Sequence, residues 1–238
     1  MAEQEIRKNF KKIVTITKDK KKGIWHKLEE IAIEIAIVVF AVSVTIWFHS
    51  WSEHRHQQKE VKEFLIGLNK DLDKDIEEMK QDMNAYVLQQ KLFSYLSSIP
   101  ENKGANIDSI QQYKSCLFNF ILFGKNSGRY QGFKSSGKLA YIENEELMNM
   151  ILDLYEENIP LLQISTDFYK NEKLKFIDDV EANTNGFPNG NFLHVLSTSP
   201  VQNKSKIYLA PNVSQILHLY ESCIEKMMDI KKEINIKK

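Results

Sequence analysis

From Ile31 to Phe48 the chain reads IAIEIAIVVFAVSVTIWF, apolar at nearly every position, with Glu34 its one charge. A helix rises about 1.5 Å per residue, so this run covers about 27 Å, close to the hydrocarbon thickness of a bilayer. Amphipathic helices of soluble proteins keep a polar face. The run therefore predicts a transmembrane helix, placed at residues 29–51. From Val61 the rhythm changes. Val61, Leu65, Leu68, Leu72, Ile76, Met79, Met83 and Tyr86 or Val87 recur every three or four residues, with charges between them. That is the spacing of an amphipathic helix. No proline separates it from the apolar run, so one helix is expected from about Ile31 to Leu96, bent or broken only if Gly67 interrupts it. A stripe of this length packs against later helices of its own chain or zips against a second copy.

Beyond it, SSIPENKGANI reads as a loop, and Asp108 as the N-cap of a helix over 109–123. The Gly-, Ser- and Asn-rich stretch 124–137 reads as irregular chain. Asn144 opens a further helix, with Glu145 and Glu146 at the positive end of its dipole. Its stripe is Leu147, Ile151, Leu154 and Tyr155. Pro160 kinks or divides it, after which Leu161, Ile164 and Phe168 lead on to Val180. ANTNGFPNGN is a loop, and 192–209 fits short strands or helical pieces. A last helix starts near Pro211 or Asn212, carries Val213, Leu217, Tyr220, Ile224 and Met227, and frays into KKEINIKK. The expected fold is mainly α: a transmembrane helix continuing into a long helix, packed with an extracytoplasmic helical domain of three to five helices.

Charge decides the orientation. The 238 residues carry 32 Lys and Arg against 32 Asp and Glu, a balance that argues against a dedicated nucleic-acid binder, and the basic stretches show no aromatic interleaving. Yet residues 1–28 hold nine basic residues (Arg7, Lys8, Lys11, Lys12, Lys18, Lys20, Lys21, Lys22, Lys27) against three acids. The fifteen residues after the span carry only Arg55, Lys59 and Lys62. The positive-inside bias keeps residues 1–28 in the cytoplasm as a basic arm, also suited to anionic lipid headgroups, and places 52–238 outside it. Trp25 on one side and Trp47 and Trp51 on the other suit the headgroup region. A cleavable signal peptide has a shorter apolar core and a small-residue exit; here the exit is TIWFHSWSEH, so an uncleaved signal-anchor is expected. Glu34 is costly inside a membrane. It either lies near the cytoplasmic face and reaches outward or toward Lys27, or makes a contact between copies of the helix, or takes part in ion or proton chemistry.

Four stretches carry a resemblance: AIEIAIVV in the span, WSEHR at its exit, EVKEFLIGLNKDLDKDI after it, and FKSSGKLAYIENEELMNMILDLYEE further on. In this order they resemble the single-pass membrane proteins of bacteroidete bacteria grouped as domain of unknown function 6090. The likeness covers residues 30–80 and 130–157. The chain departs from it at FAVSV, which lacks the glycine often present mid-span, and at the His-Ser-Trp-Ser-Glu exit. The resemblance implies a protein of the bacterial inner membrane with a periplasmic C-terminal domain. It brings no activity.

The chemical motifs are sparse. GFKSSGKL (132–139) approaches a phosphate-binding loop but has Leu139 where a Mg²⁺-binding Ser or Thr belongs, follows no buried strand, and would lie outside the cytoplasm. Its Ser-x-x-Lys lacks the S-D-N and K-T-G partners of serine acylases. It reads as a turn, with Gly137 at positive φ, serines bonded to local backbone, and Leu139, Tyr141 and Ile142 returning to the core. His49, Glu53, His54 and His56 include an i, i+4 pair suited to a metal, but polar residues are expected at a membrane exit and the reading is solvation. Cys116 and Cys223, outside the cytoplasm, are open to a disulfide or to burial as small apolar residues. His194 and His218 sit in no nucleophile motif. No catalytic residue, metal or cofactor is assigned. The expected role is a non-enzymatic membrane-anchored module that self-associates or binds another envelope protein, with the bilayer as its other partner. The alternative is an oligomeric effector or channel using Glu34.

Overall fold

A computed structural model describes residues 24–100, 103–187 and 189–236. Most of the basic arm 1–28 lies outside these residues, as does the side chain of Trp25. Among the described residues the chain is mainly helical and contains no strand. It divides into two compact units, Met1–Glu60 and Val61–Lys238. The first helix, α1 (Ile24–Ser98), is unbroken across Gly67. Within the first unit it holds the apolar run, none of whose 18-residue window is buried among the described residues.

The second unit is built on the stripe read from the sequence. Val61, Leu68, Leu72, Met79 and Tyr86 are buried, and Leu65, Ile76 and Met83 pack against them. They are joined by Phe64, Leu92, Phe93 and Leu96. Core packing, rather than exposure for a second copy, is thus the use made of this face. Next come α2 (Ile107–Gln112), α3 (Lys114–Phe118), α4 (Gly128–Ser135) and α5 (Glu145–Leu152). A π-helical turn (Asp153–Asn158) leads into α6 (Ile159–Asn183). After it come α7 (Phe192–Val195), α8 (Ser199–Lys204), a second π turn (Ser205–Leu209) and α9 (Ala210–Ile236).

Ring pairs fix the directions. Tyr86 meets Tyr169 at 5.4 Å and Phe93 meets Phe176 at 5.2 Å. Both partners advance by two helical turns, so α6 runs parallel to α1. Against α1, α9 runs the other way: Gln90 bonds Ser214 (2.9 Å), Asp82 accepts from Tyr220 (3.0 Å), and Lys231 bonds Asp73. In the place of a fourth long helix lies residues 119–127, non-helical chain. It begins where Gln89 donates to Asn119 O (3.3 Å) and ends where Asn126 N donates to Asp75 (3.1 Å). Seven extended steps of roughly 3.3 Å match fourteen helical rises of roughly 1.5 Å along α1. The segment is a strap laid antiparallel to α1, with Ile121 and Phe123 packed on the core and Leu122 turned out.

Several expectations change. The helix over 109–123 is two short helices ending at Phe118, and beyond it Leu122 turns out between core-packed Ile121 and Phe123, as in an extended chain. Its cap is Asn106, whose Oδ1 accepts from Asp108 N and Ser109 N (2.8 and 3.1 Å), and not Asp108. Part of 124–137 is helical as α4. Finally, α6 buries Ile159, Leu162, Thr166, Tyr169, Lys173, Phe176 and Val180, leaving Leu161, Ile164 and Phe168 exposed at 49, 67 and 45%. A π turn holds one residue more than an α turn, so the phase read through 147, 151 and 154 does not carry past Asn158. The buried face also includes Thr166, Glu172 and Lys173, which mislead a hydropathy reading. The ambiguous 192–209 forms helical pieces joined by a turn at 196–198, and α9 runs from Ala210 to Ile236, past the point where fraying was expected.

Candidate functional site

In the first unit, Trp47 and Trp51 are exposed on α1. Trp47 makes an edge contact with Phe48 (5.1 Å), and the Arg55 guanidinium lies 4.9 Å from the Trp51 ring centre. Glu34 is half-buried among neighbours on its own helix. Further along α1, Gln57 donates to Glu53 (3.3 Å) and His56 lies 3.6 Å from Glu60. No group of three His, Cys, Asp or Glu suited to a metal forms among the described residues.

GFKSSGKL is a turn. Residues 132–135 end α4, Ser135 Oγ donates to Gly132 O (3.1 Å), and Ser136 Oγ to Phe133 O (2.9 Å). Gly137 sits at φ 73°, ψ 5°, and a 3₁₀ turn (Lys138–Tyr141) carries the chain to buried Ile142. Only glycine adopts that φ without strain. The serines are bonded to the carbonyls three residues back, and the backbone forms no phosphate cradle. Cys116 and Cys223 are both free thiols. Burial pushes the Cys223 thiol up to about 11, away from reactive thiolate.

The polar groups that fold inward were not singled out in the sequence. Lys173 is 1% exposed. Its ammonium donates to Cys116 O (2.7 Å) and to Asn119 O, and lies 5.9 and 5.3 Å from the Phe93 and Phe120 ring centres. It caps the last carbonyls of α3 and starts the strap. Burial lowers its pKa to about 8. Beside it, Tyr169 donates to Gln89 Oε1 (2.8 Å). At the strap's other end, Asp75 is buried and accepts from Asn126 N and Nδ2 (3.1 and 2.6 Å); burial raises its pKa against those donors. Tyr130 stacks on Tyr155 (4.3 Å) and donates to Glu156 (2.7 Å), which also meets Lys134 (2.8 Å). The Lys134 ammonium and then the Tyr130 hydroxyl hold the Glu156 carboxyl below its usual range. The Tyr155 hydroxyl is buried with no hydrogen-bond partner among the described residues.

These groups tie segments together: Lys173 and Asp75 hold the strap, Tyr130 and Lys134 hold α4 against the first π turn, and Asp82 holds α9. The sequence signal for them was faint: a Lys or Asp at a position that completes a buried stripe. Compared with protein-family models, curated proteins and solved structures, the chain has no match.

Proposed function

We propose that this chain is a single-pass membrane protein, its N-terminus cytoplasmic and its C-terminal unit outside the cytoplasm, acting as a non-enzymatic anchored module that associates with copies of itself. The observation that carries the anchor is the apolar window of α1, none of which is buried among the described residues. A core helix of a soluble protein would be mostly covered; the uncovered window supports contact with lipid. The nine basic residues before it and three after set the direction. The resemblance to the inner-membrane family of domain of unknown function 6090 points the same way. Self-association draws on the apolar face Leu161, Ile164 and Phe168, exposed on α6. An anchor also confines copies to one plane with one orientation, which raises their effective concentration.

The first test is fractionation followed by protease treatment of cells whose outer envelope has been opened. A tag after Lys238 should be cleaved while the inner membrane is intact. Protection until lysis, or recovery of the chain in the soluble fraction without detergent, would end the proposal. The second test is an Ile164→Cys variant, on a Cys116→Ser background, cross-linked in intact membranes. A covalent homodimer supports self-association, whereas cross-links to a different protein alone assign this face to another envelope protein. A second reading, an oligomeric effector or channel, is favoured by the carboxylate of Glu34 within the span. It requires that controlled expression make the membrane leak small ions, and that Glu34→Gln abolish the leak.

A further inference from the structure

At the end of the second unit where α1 terminates, the loop between α6 and α7 holds an aromatic side chain in the open. Phe187 is 59% exposed. The loop is not slack. Asn191 Oδ1 accepts from Asn185 N (2.6 Å) and its Nδ2 donates to Asn183 O (2.9 Å). Gly190 N donates to Gly186 O (2.6 Å), and Gly186 takes φ 67°. A Cβ on Gly190 would lie 1.7 Å from Asn185 O, so the closure needs glycine there. The stapled loop sets Phe187 against Phe192 (5.1 Å, 85°) and Phe118 (6.5 Å, 82°). Phe118 and Phe192 are tilted by only 34° to each other. The three rings form a corner of two near-perpendicular walls.

That corner opens into a cavity of about 400 Å³, floored by Ile177 and Val180 of α6. A second cavity of about 300 Å³, with no charged lining residue, lies on the other side of the same rings. The first has two polar lining residues, Thr184 and Glu181. The Thr184 hydroxyl is already bonded to Val180 O (2.6 Å). The Glu181 carboxylate has no hydrogen bond or ion pair among the described residues. A volume of this size suits a small organic ligand. Aromatic walls with negative faces, beside an unneutralised carboxylate, favour a positive charge carried on an apolar shell. Burying an anion against Glu181 would be repulsive, and a neutral aromatic would leave the carboxylate partly desolvated and unpaired.

We infer that the Phe118–Phe187–Phe192 corner with Glu181 is a binding site for a hydrophobic organic cation of the quaternary-ammonium class. The site uses residues of the second unit alone, so it stands or falls separately from the membrane anchor. The test uses the full chain in an uncharged detergent and three small probes: phenyltrimethylammonium, benzenesulfonate and benzyl alcohol. Binding is followed by ligand-observed NMR titration. The cation should bind saturably, and at least tenfold more tightly than the other two. Glu181→Gln and Phe187→Ala, both at exposed positions, should each weaken it at least fivefold while leaving the circular dichroism spectrum and thermal midpoint unchanged. Equal binding of the three probes, absence of saturable cation binding, or full affinity in Glu181→Gln overturns the inference.

Discussion

Lys173→Met tests the most unusual feature of the core. The native ammonium is buried, faces two carbonyls and two aromatic rings, and has its pKa lowered from 10.5 to about 8 by loss of water. At ~1.36 kcal/mol per pH unit of displacement, keeping it charged near neutrality costs ~3 kcal/mol relative to the same group in water. The folded state thus holds this proton more weakly than the unfolded chain. Below about pH 8 both states are protonated and the cost is present in full; between about 8 and 10.5 only the unfolded chain keeps the proton, so stability from this group rises with pH. Methionine removes the charge but strands Cys116 O, while Asn119 O keeps the Gln89 amide at 3.3 Å. A stranded buried carbonyl costs ~1–3 kcal/mol. The two effects roughly cancel near pH 7, leaving the variant within ~1 kcal/mol of the parent. By about pH 9.5 the parent should have gained ~2 kcal/mol over the variant. Urea unfolding of both full-length proteins in the same detergent, followed by circular dichroism across that pH range, reads the difference. The upward-shifted Cys223 and tyrosines act on both proteins and cancel. A stability difference that stays flat with pH would show that Lys173 does not carry a lowered pKa and that the cap is solvated.

Three further outcomes follow from particular contacts. Phe176→Ala, at a fully buried ring packed edge-on against Phe93, should lower unfolding stability by ~3–5 kcal/mol in the same denaturation assay. Gly137→Ala meets open space but must hold φ 73°, so it should cost ~1–2 kcal/mol through conformation alone, seen as a lower urea midpoint at unchanged slope. Ile164→Ser should change the stability of the isolated chain by less than ~0.5 kcal/mol, since the side chain is exposed, yet reduce homodimer cross-linking in membranes; a core-sized loss of stability would contradict the outward phase of α6.

The periodicities alone determined the apolar run at 31–48, the stripe from Val61 to Tyr86, the start of α5 after Asn144 and the turn at Gly137. Each is a local matter. Hydropathy over a few turns, a helix-start pattern, or one glycine in a left-handed conformation needs no distant partner to be recognised. The phase of α6, the strap 119–127 and the buried Lys173 were decided by tertiary structure. A π turn shifts which face looks inward, and no residue between Asp153 and Asn158 announces it. The strap is extended because Ile121 and Phe123 reach the core on either side of exposed Leu122, Phe123 meeting Tyr220 of α9, and because Lys173 and Gln89, 54 and 30 positions away from Asn119 in the chain, take its carbonyl. Lys173 reads as a solvated charge until three packed elements remove its water. The corner of Phe118, Phe187 and Phe192 is likewise invisible along the chain, since a cavity is a property of surfaces brought together.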